Sequence, residues 1–102
     1  MKKIAEIVKD IREELDGAEH YAKKATQYKD DDKALSDTYS AMASQELGHV
    51  DLLHTQVTRI IRDHRAEHGE PPEAMMMVWN WEHESMVSHT AKVKALLEMV
   101  KK

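Results

Sequence analysis

Apolar side chains recur every three or four residues along three long stretches of this chain, the interval that returns a residue to the same side of a helix. From about Lys3 to Lys29, Ile4, Ile11, Ala18 and Ala25 form one row and Val8, Leu15 and Ala22 a second. Ile7, Glu14, Tyr21 and Tyr28 form a third. The rows adjoin, so they describe one apolar stripe on one helix, and Glu14 falls inside it. Glu6, Asp10, Glu13 and Lys24 lie away from the stripe. Asp30-Asp31-Asp32 interrupts the pattern and supplies a helix N-cap. A second helix is predicted from about Lys33 to His68, stopped by Gly69 and Pro71-Pro72. Its seam reads Leu35, Tyr39, Met42, Glu46, His49, Leu53, Ile60. A third runs from about Pro72 to Met99 with the seam Met75, Trp79, Glu82, Met86, His89, Val93, Leu96, Val100.

The fold class is therefore all-α: an antiparallel helical hairpin plus a third long helix in a single domain of 102 residues. Gly is 3 and Pro is 2, too few for a turn-rich fold. No internal repeat or linker divides the chain. Met75, Met76, Met77, Trp79 and Trp81 read as core or dimer contact.

Charge and composition narrow the chemistry. The formal net charge of -4 argues against nucleic acid as a partner, since duplex binding leans on a basic face. Cys is 0, so any metal must be held by Asp, Glu or His, which suits iron, with manganese or zinc possible. Glu6 comes too early for a signal-peptide core, and no apolar run reaches membrane-spanning length. The expectation is a cytoplasmic protein that engages no membrane.

Glu46 and His49 carry the candidate chemistry. Three residues apart, they share a helix face. A carboxylate and an imidazole on an apolar seam are costly unless something compensates them, and Glu-x-x-His is how four-helix bundles hold two irons. The first turn is centred near Asp31; Glu14 lies seventeen residues before it, Glu46 and His49 fifteen and eighteen after it. In an antiparallel hairpin these positions are level within about one turn, at about 1.5 Å per residue. Glu14, Glu46 and His49 are thus expected to point inward together as metal ligands. The third helix offers no second Glu-x-x-His, so one chain holds half a di-iron site. A homodimer, or a higher homo-oligomer, would complete both the site and a four-helix bundle.

Glu13-Glu14-Leu15, Tyr21 six residues past that Leu, and Glu46-x-x-His49 resemble the ferritin-like superfamily, and most closely the encapsulated ferritins, over roughly residues 11 to 66. The resemblance implies a ferroxidase centre built across a dimer, with Glu14, Glu46 and His49 as iron ligands and Tyr21 close by. Glu13 and Asp16 would draw iron in from the surface. His20 stands where that family usually has Trp, and Ala95 to Lys102 is no Gly- and Leu-rich cargo tail. These two departures put packing inside an encapsulin shell in doubt.

The leading expectation is a ferroxidase-type oxidoreductase serving iron storage or detoxification. Its rival is a non-enzymatic structural or adaptor module whose seam polar groups fix partner and register, with Met and Trp of the third helix as its surface. A di-metal site with other redox chemistry ranks third. Glu82 and His89 read as a polar patch or inter-subunit pair rather than ligands. His20, His54, His64, His68 and His83 read as surface residues, and Gly48 as room for a facing helix or the metal cluster.

Overall fold

The computed structural model describes residues 2–102, and all of its regular structure is helical: α1 (Lys2–Tyr28), α2 (Lys33–His68) and α3 (Glu73–Lys101). The expected boundaries hold within two residues, because each is set by a local signal. Asp32 caps α2 by accepting from the Leu35 amide at 3.1 Å. Gly69, at φ 80, ends it by donating its N–H to the Arg65 carbonyl, a conformation in which only glycine is unstrained. Pro72 precedes α3, and Glu73 sits in its first turn. No helix among the described residues is long and apolar enough to cross a membrane.

The molecule is a rod of 55 × 18 × 18 Å. The 36 residues of α2, at about 1.5 Å each, run its full length. α1 packs against α2 and also against α3, whereas α2 and α3 meet along little of their length. Contacts fix the directions. Glu14 meets His49, and Ser36 donates to the Ala25 carbonyl at 2.7 Å; as one number rises the other falls, so α1 and α2 are antiparallel. Arg12 meets Glu82, Glu19 meets His89 and Lys29 meets Met99, each seventy positions apart. α1 and α3 are therefore parallel and in constant register.

The core changes character along the rod. Towards the α2–α3 connection it is built from Ile4, Val8, Ile11, Leu15, Val50, Val57, Ile61, Trp79 and Met86. Towards the α1–α2 turn it narrows to Ala18, Ala22, Ala43 and Val93, small side chains that let the helix axes approach. The buried row of α2 is Ser36, Ala43, Val50, Val57 and Ile61. This corrects the expected seam by one residue, about 100° of helix rotation. Leu35, Tyr39, Met42, Glu46, Leu53 and Ile60 are half-buried beside the contact line, and His49 is exposed. Close helix contact selects small residues for the centre line and pushes larger ones to its flank.

On α3 the expected seam holds: Trp79, Glu82, Met86 and Val93 are buried, and Met75, His89, Leu96 and Val100 half-buried. Met75 and Met76 pack on the core, whereas Met77 and Trp81 are exposed. Glu82 is paired within the chain: Arg12 forks onto both its carboxylate oxygens, with Nε to Oε2 at 3.0 Å. His89 Nε2 meets Glu19 Oε1 at 3.1 Å, and Lys92 and Lys23 each reach Glu19 at 3.0 Å.

The two lysine ammoniums hold the Glu19 carboxyl down to about 2 from 4.5, Lys23 contributing first. A lowered folded pKa stabilises above the unfolded value and loses that contribution as pH falls towards the folded one. Glu19→Gln should therefore cost about 1 kcal/mol at pH 7, a modest figure because the lysines are solvated. The deficit should vanish between about pH 4.5 and about 2, as thermal unfolding of both proteins across that range would reveal.

Candidate metal centre

Glu14, Glu46 and His49 come together. One ligand atom from each lies within 4.8 Å of the other two, the one group of three or more His, Cys, Asp or Glu so arranged among the described residues. His49 Nδ1 is 3.2 Å from Glu14 Oε2. α1 supplies one ligand and α2 two, one turn apart, at the height the turn position dictates. The expectation that all three point inward needs correcting: the Glu14 side chain is 29% exposed and that of His49 54%. The site sits on the flank of the α1–α2 contact, a consequence of the one-residue rotation of α2.

That flank is a continuous face. Ile7, Glu14, Tyr21 and Tyr28 of α1 lie beside Leu35, Tyr39, Met42, Glu46, Leu53 and Ile60 of α2, all half-buried. α3 covers the other side of α1, where Arg12 and Glu19 point. Glu82 and His89 belong to that other side and do not join the triad.

Electrostatics at the site follow from crowding two acids. Glu46 is raised above the ordinary carboxylate value, first by its hydrogen bond with Glu14, then by loss of water and by Glu14's charge. Glu14 is lowered, first by that same bond and further by His49, against an opposing cost of lost hydration. Two carboxylates this close cannot both ionise cheaply without a proton or a cation between them.

Gly17 has a definite part in this. A Cβ there would stand 3.3 Å from Glu46 Oε2, so the missing side chain makes room for the carboxylate. Gly17→Ala should raise apo-protein stability by up to about 1 kcal/mol through helix propensity. It should also displace Glu46 by a few tenths of an ångström and weaken metal binding. Melting curves with and without metal would register the two effects with opposite sign. Gly48 gives no comparable reason: it is exposed, and a Cβ there would meet nothing within 4 Å.

Tyr21 lies two turns beyond Glu14 on the same α1 row, about 10 Å along the axis. It stacks on Tyr39 at 6.1 Å between ring centroids, and Tyr39 stacks on Tyr28 at 6.2 Å. Glu13, Asp16 and His20 are exposed. Arg12 and Glu19 escaped the sequence reading as structural residues. Their signal was their seventy-residue offset to Glu82 and His89, which becomes readable only once α1 and α3 are known to be parallel.

Compared with protein-family models, curated proteins and solved structures, the chain matches none.

Proposed function

We propose that this chain is a ferritin-like iron-binding protein that works as a homodimer and oxidises Fe(II). The observation that carries the reading is the convergence of Glu14, Glu46 and His49 from two helices on one point of an otherwise apolar flank. Two carboxylates and one imidazole are a hard, oxygen-rich donor set that fits iron, and manganese nearly as well. The crowded acids supply the negative potential that a cation relieves.

Three ligands do not close a di-iron centre. A second copy docked face to face over the same flank would bring six ligands together and cover Ile7, Leu35, Met42, Leu53 and Ile60. The four helices of the two hairpins then form one bundle, with each α3 on its outer side. Glu46 is the bridging ligand, and His49 and Glu14 are terminal. Tyr21 enters as the ring on Glu14's row, at the near end of the tyrosine ladder.

Iron is the substrate here. Two Fe(II) ions held together each give up one electron, and the pair reduces O2 with two protons to H2O2, or H2O2 with two protons to two waters. Carboxylates favour the Fe(III) product, the harder ion. Anaerobic Fe(II) loading followed by measurement of iron and solution mass tests the reading. Two irons per dimer are expected for the wild type and none retained by Glu46→Ala. Equal iron in the two proteins sinks it.

One observation favours an adaptor reading instead: Met77, Val78 and Trp81 form an exposed apolar patch on the outer side of α3. An adaptor binding through that patch would be indifferent to Glu46→Ala and to chelator, whereas the iron protein would respond to both.

A further inference from the structure

On the side of α2 away from the carboxylate triad, two imidazoles from different helices face each other. The ring centroids of His54 on α2 and His83 on α3 are 5.0 Å apart, with planes tilted by 35°. Both residues are half-buried. The indole of Trp79 closes one flank, 6.0 Å from His54 and 5.6 Å from His83. Neither imidazole forms a hydrogen bond or ion pair with any described residue, whereas His49, His68 and His89 each meet a glutamate. The pair opens into a cleft of about 370 Å³ that Asp51, Met86 and Thr90 also line. Asp51 precedes His54 by three residues, one helical turn, so both project to the same side of α2. Its carboxylate is exposed and unpaired among the described residues.

We infer that His54 and His83, with Asp51 as third donor, form a second cation site, one that takes a borderline divalent ion of the zinc class. Two imidazoles whose nitrogens sit about 2.0–2.1 Å from a tetrahedral ion have ring centroids about 5 Å apart, the spacing found here. Neutral imidazole is the ligand such ions prefer, and the single carboxylate makes the donor set poorer in oxygen than the triad's. The fourth position falls in the open cleft, where water can fill it. Lys94 lines the far end of the same cleft. It lies eleven residues beyond His83, about 16 Å along the axis, so its charge does not oppose an ion between the rings. The ligand atoms of Asp51, His54 and His83 do not all lie within 4.8 Å of one another as those of the triad do; a turn of the Asp51 side chain would bring its carboxylate to the ion.

Such a site has a mechanical consequence. α2 and α3 meet along little of their length, and the chain joins them only through the short segment at Pro71-Pro72. An ion between His54 and His83 staples the two helices at mid-rod, so zinc should raise the melting temperature without changing subunit number. This inference is independent of the iron reading, because the two sites share no residue.

The test uses Zn(II) on the full chain in a Glu14→Gln/Glu46→Gln background, which removes the carboxylate triad. Calorimetry should find one zinc per chain, with a change in Trp79 emission in a Trp81→Phe version of the same protein. Adding His54→Gln and His83→Gln should weaken zinc binding at least ~10-fold and abolish the emission change, and Asp51→Asn should weaken it less. The inference is overturned by absence of zinc binding in the triad-free protein, or by binding that survives loss of both histidines. Should the double histidine variant fail to fold, Co(II) added to the triad-free protein serves instead. Visible bands that saturate at one equivalent and are displaced by zinc are expected, and their absence overturns the site. Failure here leaves iron loading of the wild type untouched, so the two readings fail separately.

Discussion

Arg12→Ala should destabilise the fold by about 3 kcal/mol, while Glu82→Met costs less than about 1 kcal/mol or stabilises slightly. The asymmetry comes from where the two partners sit. The Glu82 side chain is 8% exposed and that of Arg12 56%, so the ion pair is a buried acid reached by an arginine from the surface. Glu82 lies on the buried row of α3 between Trp79 and Met86, beside a cleft lined by Val8, Met75 and Trp79. Removing the arginine leaves a carboxylate without its two-pronged donor in surroundings that cannot solvate it. Removing the carboxylate returns the guanidinium to water, where it is already half immersed, and puts thioether packing in place of a charge. A urea titration of wild type, both single variants and the double variant separates the terms. The double variant Arg12→Ala/Glu82→Met should recover most of what Arg12→Ala loses. Equal losses for the two single variants would contradict the one-sided burial argument.

The same pair marks the boundary of what could be read from the chain. The three helices were legible because each signal is local: a stripe at helical spacing, Asp32 as cap, Gly69 as stop, Pro71-Pro72 as breaker. The level placement of Glu14 with Glu46 and His49 was legible too, since an antiparallel hairpin with a short turn leaves only one register, and the 3.2 Å Glu14–His49 contact is its outcome. The rotation of α2 was not. Following the larger side chains leads to Leu35, Met42 and His49, whereas the contact line runs through Ser36, Ala43 and Val50. Which side of a helix faces its neighbour depends on how closely the axes approach, and that is decided by small residues whose hydropathy says little. Ser36 is the clearest instance: polar, yet 2% exposed and satisfied by donating to the Ala25 carbonyl. The pairings of α1 with α3 were hidden for another reason. They join residues seventy apart, and nothing short of the packing direction of the third helix reveals them.

Chelation should convert the proposed iron-loaded dimer to monomer, and this is the largest effect expected on the molecule. The flank that carries the triad exposes part of Ile7, Tyr21, Leu35, Tyr39, Met42, Leu53 and Ile60, enough apolar surface to favour pairing, but each copy also brings Glu14 and Glu46 to the joint. Without a cation the paired state crowds four carboxylates into one interior site, and their repulsion and lost hydration oppose association. With iron bound the same four groups become the strongest link between the copies. Dimer and metal are thus coupled: each should raise the apparent affinity of the other by the same factor. Sedimentation or light scattering before and after chelator should show mass falling towards that of the 11.8 kDa chain and recovering when Fe(II) is restored. Glu14→Gln/Glu46→Gln separates the contributions. With the negative charges gone and the apolar flank intact, it should pair without metal and no longer respond to chelator. A wild type whose mass ignores chelator, or a triad-free variant that is strictly monomeric, would mean that the flank is not where two copies meet.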